Sequence, residues 1–468
     1  MANPHLKRSL TLRDLVLFNV VAVMSLRWLA TSAAAGPSAL TLWVLAALFF
    51  FVPQGLAVSE LAARHPEEGG IYFWTKRALG DSHGFVCGWC YWVNNILYYP
   101  NLLMSTAVIA TFVIGRGESD LVNQWSYVLP ATLIMLWFAT GLNIVGTGTG
   151  KWLQNIGAVA TYLPGAALVL LGIYAAFTQH PANPFTLQSL TPDFGNLTEL
   201  NLWASIAFAF AGLELCAVMA GEVQEPRRTL PRSILIAAPL ITVIYLIGTG
   251  TVLVLIPQGQ INVVSGFLQA ILAGARLVGT GALWIAPVAA ALYVLGNIGG
   301  IGAWLAGPAR VAFVIGLDRF FPPAFGKVHP KWGTPYVAIL IQSVLATIFI
   351  CISVLGKGTT VETAYLIVLD TMLLIYFIPF IYLFVSYLLL TGRTPSPSAI
   401  GIRRWFTGLA GLLLTVFAMI VATVPPSNTP SVLLFELKVV GGAAGIVLVG
   451  CLLYWRAQRG RNISAATI

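Results

Sequence analysis

Arg27, Glu214 and Asp370 carry charge inside stretches of sequence that are otherwise almost wholly apolar. An ionisable group at that depth in a membrane is costly and normally faces a partner or a wet cavity. Three such residues therefore point to ion pairing, to the holding of a charged solute and to proton exchange. They do not point to bond-making chemistry. All five histidines (His5, His65, His83, His180, His329) fall in loops or at the edges of apolar stretches, so no catalytic or metal-ligating cluster is expected at depth. No metal and no cofactor are expected. Cys87-Gly-Trp-Cys90 has redox-motif spacing, but it opens an apolar helix rather than a strand-to-helix turn, and its expected role is packing.

The elements that must position these charges are about twelve apolar stretches, most near the ~20 residues that cross a bilayer as helix. With 58% hydrophobic and 9% charged residues and a mean hydropathy of +0.86, the chain cannot cover a soluble globule with polar surface. Twenty of its 25 Lys and Arg residues fall in alternate gaps between the stretches. The other side has only Arg116, Arg276, Lys357 and Lys438, and Arg27 is left inside the first stretch. By the positive-inside bias the rich side is cytoplasmic and both termini are inside. The net charge of +9 is thus a matter of topology and lipid headgroups, and nucleic acid is excluded as a partner.

Two stretches are interrupted. Leu15–Ala35 has Asn19, Ser25 and Arg27 near its middle, and Trp203–Gly221 contains Phe208-Ala-Phe-Ala-Gly212-Leu-Glu214. They become equivalent if the first ten stretches form two five-helix halves of inverted topology, and broken helices at equivalent places point to a midplane binding site. Opened backbone is tolerated in a membrane only where it lines a cavity or is buried in protein.

Four motifs carry a family resemblance: Glu60-Leu-Ala-x-x-x-Pro66-Glu-x-Gly69-Gly70-x-Tyr72; Phe208-Ala-Phe-Ala-Gly212-Leu-Glu214; Gly221-Glu222-Val-x-x-Pro226-x-Arg228-x-x-Pro231; and Asp318-Arg-Phe-Phe321-Pro322-Pro323 followed by Gly333-Thr334-Pro335. In combination the chain resembles the amino acid–polyamine–organocation transporters. The resemblance implies an all-α polytopic membrane protein of the leucine-transporter fold, with about twelve spans: a five-plus-five inverted repeat and two C-terminal helices. The expected divisions are a cytoplasmic N-terminus (1–14), a first repeat (15–177), an outer loop (178–202), a second repeat (203–390), two added spans (391–455) and a cytoplasmic tail (456–468). The family's Gly-x-Gly break in helix one corresponds here to Ala22-Val23-Met24, a departure that removes the freedom of glycine for close backbone approach.

The resemblance implies a secondary active transporter of amino acids or related amines in the cell inner membrane. It would work by alternating access, as an exchanger or with a proton link. A polyamine transporter of the same fold and a nutrient receptor that does not transport are the alternatives. A membrane enzyme is disfavoured by the placement of the histidines, and a channel by the lack of a selectivity loop. The expected partners are a small solute, protons and the bilayer. The expected substrate site comprises Ala22, Val23, Met24, Ser25, Phe208, Ala209, Phe210, Ala211 and Gly212. Tyr293 of helix eight joins it, as does Asn95, which matches a polar position facing the site in arginine–agmatine exchangers. Arg27 is open to three readings: an outer gate paired with Asp370, resembling that of sodium-coupled neurotransmitter transporters, a contact to substrate, or a structural arginine bound to carbonyls. Glu214 is read as a gating or proton-exchanging carboxyl, since burial without a cation favours its neutral form, or as a static hydrogen-bonding group. Glu60 and Glu222 are candidates for inner ion pairs with Arg64, Arg228 and Arg232.

Overall fold

The computed structural model describes residues 10–466 apart from 66–68, 146, 219–222, 299–319, 321, 328, 333, 335, 355–359, 393–397 and 426–430. Among these residues every extended element is a helix, and the one strand-like contact is a parallel bridge between Leu10 and Val223. Among the described residues nine helices are long and apolar enough to cross a membrane, the pattern of a multi-pass membrane protein. Of the twelve expected stretches the first, fifth and sixth do not count among the nine: the first and sixth are interrupted, and the fifth contributes only the shorter apolar segment Tyr162–Thr178.

Helix α1 (Leu12–Val23) starts in a capping box in which Thr11 accepts from the Asp14 N–H and the Asp14 carboxylate accepts from the Thr11 N–H. It stops at Met24, whose backbone is extended (φ −77°, ψ 123°), and the chain resumes helix as α2 (Arg27–Ala33). Gly36, at φ +80°, then turns it into α3 (Ser38–Arg64). After the short α4 (Ile71–Leu79), Gly80 at φ +95° makes the corner into α5 (Asp81–Val113). Helices α6 (Trp125–Val145) and α7 (Thr147–Thr178) follow.

The second interruption has the same plan as the first. Helix α8 (Leu197–Ala209) gives way to turns over Phe210–Glu214, with Gly212 at φ +125°, before α9 (Leu215–Val218). Beyond it run α10 (Pro226–Leu255), α11 (Gly266–Val278), α12 (Thr280–Ile298), α13 (Tyr336–Val354), α14 (Val361–Gly392), α15 (Ser398–Val421) and α16 (Val432–Arg459).

Lipid is as apolar as leucine, so packing and polar satisfaction rather than water exclusion decide which helices lie inside. α5 is the most enclosed span and α14 also lies largely in the interior, whereas α16 is the least covered. Phe50 of α3 packs against Phe377 and Phe380 of α14, with ring centroids 5.8 and 5.3 Å apart. On the periphery Ile134, Leu413 and Leu448 stand exposed, as a lipid face requires. The apolar segment at Gln260–Val278 is helical from Gly266; it buries Phe267, Leu268 and Ile271 and turns Arg276 outward to a bidentate pair with Glu118.

Cys87, Cys90 and Cys216 are buried, Cys351 and Cys451 are exposed, and all five are free thiols. A membrane-soluble maleimide should therefore label only Cys351 and Cys451 in the folded protein in detergent, read by intact and peptide mass. Modification of Cys90 before unfolding would contradict the packing around α5.

Candidate functional site

Tyr245 of α10 stands where the two interrupted helices meet. Its hydroxyl lies 2.7 Å from the Val23 carbonyl, at the end of α1, and 3.2 Å from the Ala209 carbonyl, at the end of α8. It also accepts from the Ser25 N–H at 3.2 Å, just before α2. One phenolic hydrogen thus serves two helix C-termini while the oxygen serves an orphan amide. Trp43 stacks on the Tyr245 ring at 4.3 Å between centroids, and Phe210 meets it edge-on at 5.7 Å.

Between the breaks lies a hollow of about 20 Å³, room for roughly one water molecule. Ala22, Val23 and Ser25 line it from the first break and Phe208, Ala209 and Ala211 from the second. The remaining walls are Trp28 of α2, Asn94 and Tyr98 of α5, and Tyr376 of α14. Phe208 meets Trp28 edge-on at 5.5 Å and Tyr376 at 5.3 Å, so three rings close one side. Met24 is buried at the break without lining the hollow, and Phe210 turns away into Trp43 and Phe51. Gly212 sits behind it, where an added Cβ would come within 3.3 Å of Val23 Cγ2 and 3.4 Å of the Ala22 carbonyl oxygen.

Asn95 does not reach this space. It donates to the Tyr91 carbonyl at 2.7 Å, one turn back, while its neighbour Asn94 faces the hollow. Successive helical residues point about 100° apart, so only one of the pair can line it. Tyr293 is also elsewhere, packed on Phe267 at 4.9 Å with its hydroxyl 3.4 Å from Ser105.

Glu214 is fully buried, and four donors converge on it. Gln54 Nε2 and the Gly212 N–H each lie 3.0 Å from Oε2, while the hydroxyls of Tyr91 and Tyr376 donate to Oε1. The carboxylate therefore holds its own helix break, through Gly212, and fastens it to α3, α5 and α14. A proton arriving on Oε1 would need one phenol to turn from donor to acceptor.

Arg27 and Asp370 are both fully buried, but they are not paired with each other in this conformation. Arg27 Nη1 donates to Asn101 Oδ1, and the guanidinium lies over the rings of Trp28 (4.3 Å) and Tyr98 (4.7 Å). Its Nε and Nη2 have no hydrogen-bond partner. Asp370 accepts from Asn201 Nδ2 at 3.3 Å, and its Oδ1 is unpartnered. Each charged group is bound by an asparagine through a single atom. Cation–π contacts contribute about 0.5–2 kcal/mol each, less than the several kcal/mol of desolvating an ion.

Near the end of α3 Glu60 accepts from Arg64 Nη2 at 2.5 Å and from the Tyr387 hydroxyl at 2.9 Å, with Arg403 Nη2 4.0 Å away. The partners expected for it included Arg228 and Arg232, and those found across the helices are instead Tyr387 of α14 and Arg403 of α15. Glu222 lies outside the described residues. Among the described residues no group of His, Cys, Asp and Glu could hold a metal.

Tyr245, Gln54, Tyr376, Trp28 and Asn101 were not anticipated from sequence as site residues. One signal was available on α5: Tyr91, Asn94, Tyr98 and Asn101 recur at spacings of three and four, a single helical face. Trp28 directly follows Arg27 at the first break, whereas Tyr245, Gln54 and Tyr376 come from distant helices, and nothing local marks them.

Residues 10–441 match the family described as amino acid permease. An uncharacterized transporter of Legionella pneumophila is 31% identical over 95% of this chain and 96% of its own length. A Lactococcus lactis protein named "Probable agmatine/putrescine antiporter AguD" is 26% identical over 96% of this chain and 95% of its own. The serine/threonine exchanger SteT of Bacillus subtilis is 27% identical over 67% of this chain and 68% of its own.

Tyr245→Phe removes one acceptor and one donor from three backbone groups, and each buried group left unsatisfied costs about 1–3 kcal/mol. Its thermal unfolding midpoint in detergent should fall below that of the wild type, and an unchanged midpoint would remove Tyr245 as the clasp of the two breaks. Gly212→Ala should fall too, since φ +125° strains any residue with a Cβ.

Proposed function

The chain belongs to the amino acid permease family, and from that premise we propose that it is a secondary active transporter of amino acids or related amines, with the hollow between the broken helices as its midplane site. The observation that carries this reading is the meeting of two interrupted helices around Tyr245 at a hollow lined by both breaks. In the proposed arrangement residues 15–177 and 203–390 are inverted five-helix repeats of a leucine-transporter fold. Two further spans lie in 391–455, and both termini are in the cytoplasm of a cell inner membrane. The twofold occurrence of helix, break and helix, extended at Met24 in the first and turned over Phe210–Glu214 in the second, supports it.

Alternating access then requires the site to open to one side at a time. With room for about one water, the hollow must widen before a solute enters, and the Trp28–Phe208–Tyr376 wall is the part that would move. Exchange is favoured over one-way symport by the relatives named as antiporters or exchangers. Glu214 supplies the proton link in this reading: uptake of a proton at Oε1 turns a tyrosine and loosens the break from α5 or α14. Glu60, with Tyr387 and Arg403, closes the cytoplasmic end.

Counterflow in proteoliposomes tests the function. Labelled substrate should accumulate against unlabelled internal substrate, and binding without flux would leave only a receptor. For the coupling, transport by the wild type should depend on pH, and Glu214→Gln should lose that dependence. A profile of unchanged shape would exclude the proton role.

A further inference from the structure

We propose that Arg27 is the specificity-determining residue of the site and that it selects solutes bearing a carboxylate over the amines that lack one. The inference rests on the transporter reading and names its substrate class.

Arg27 is fully buried, yet its Nε and Nη2 have no partner. Its one hydrogen-bond partner, Asn101, is neutral, and Asn101 also donates to the Tyr365 carbonyl at 3.2 Å, so the amide is held in place. Among the described residues no carboxylate lies within ion-pair distance of Arg27. The two rings beneath its guanidinium, Trp28 and Tyr98, are themselves walls of the hollow. The cation therefore borders the hollow across single aromatic side chains.

Five amides of the two breaks are already committed. The amides of Met24, Ser25, Phe210, Ala211 and Gly212 already donate to Val20 O, Tyr245 Oη, Ala207 O, Phe208 O and Glu214 Oε2. Ala22 and Val23 present side chains where a bare backbone would let a carboxylate approach. A carboxylate drawn in beside Trp28 would meet the two free guanidinium nitrogens, which suit a bidentate acceptor. A wholly cationic solute gains no such partner and meets a like charge.

The test compares amino acids with their decarboxylated amines, arginine with agmatine and glutamate with γ-aminobutyrate, as competitors in counterflow and as stabilisers in thermal-shift assays. γ-Aminobutyrate keeps a carboxylate distant from its amine and reports whether carboxylate position matters. The wild type should prefer arginine over agmatine by about tenfold or more, as one charge-assisted bidentate contact implies. Arg27→Gln should abolish that preference and Arg27→Lys should keep part of it. Equal or stronger competition by agmatine in the wild type would overturn the proposal even if neither variant folds. So would a preference unchanged in Arg27→Gln. If Asp370→Asn alone erases the preference while Arg27→Gln does not, the charge that matters is on Asp370 and the proposal fails. Flux of both classes without discrimination sinks this inference and leaves the transporter reading intact, whereas flux of neither sinks both.

Discussion

Backbone groups released by a break in a transmembrane helix must find partners inside the protein, because lipid offers none. Two side chains meet this constraint. Tyr245 joins the ends of α1 and α8 and the start of α2, and Glu214 takes the Gly212 amide in the second break. Neither partner belongs to a flexible loop. Tyr245 is clamped by Trp43 and Phe210, and Glu214 is reached from three other helices. The consequence is that two irregular segments, which would be mobile in isolation, are held at a fixed separation with a hollow between them.

That arrangement also accounts for which helices are interior. α5 supplies Tyr91, Asn94, Tyr98 and Asn101 along one face, touching in turn the Glu214 carboxylate, the hollow, and the Arg27 guanidinium. α14 supplies Tyr376 to the same carboxylate and Tyr387 to Glu60. Both helices are therefore committed over much of their length to polar contacts that lipid would leave unmet. α16 makes few of them and lies outside.

Much of the architecture was legible in the sequence because its cause is local. Span length, the alternation of basic gaps and the polar interruptions at Ser25 and Gly212–Glu214 follow from neighbouring residues, and both breaks occur where those interruptions lie. Membership of the lining was only partly legible. Ala22, Val23, Ser25, Phe208, Ala209 and Ala211 sit in the breaks and could be read from them. Asn95 was preferred to Asn94 by resemblance, and a difference of one residue on a helix is a rotation of about 100°. Tyr245 and Gln54 could not be found this way, since Tyr245 acts on Val23 and Ala209, 222 and 36 positions away, and Gln54 on Glu214, 160 positions away.

The three intramembrane charges differ in how fully the protein satisfies them, and the roles proposed for them rest on that difference. Glu214 has four donors on two oxygens, so its ionised form is already solvated by fixed dipoles and any change of charge must disturb helices α3, α5 or α14. Asp370 has one oxygen bound by Asn201 and one without a partner, in a position that Arg27 does not fill. Arg27 has one nitrogen bound and two without partners among the described residues, and its guanidinium lies over two rings that wall the hollow. A group whose partners are complete can store a conformation, because moving it breaks bonds that already exist. A group whose partners are incomplete can instead recognise something, because the missing bonds are formed only when a ligand arrives. By that criterion the proposed switch belongs to the second break and the proposed recognition to the first, so in this reading two helices interrupted at corresponding places have different tasks.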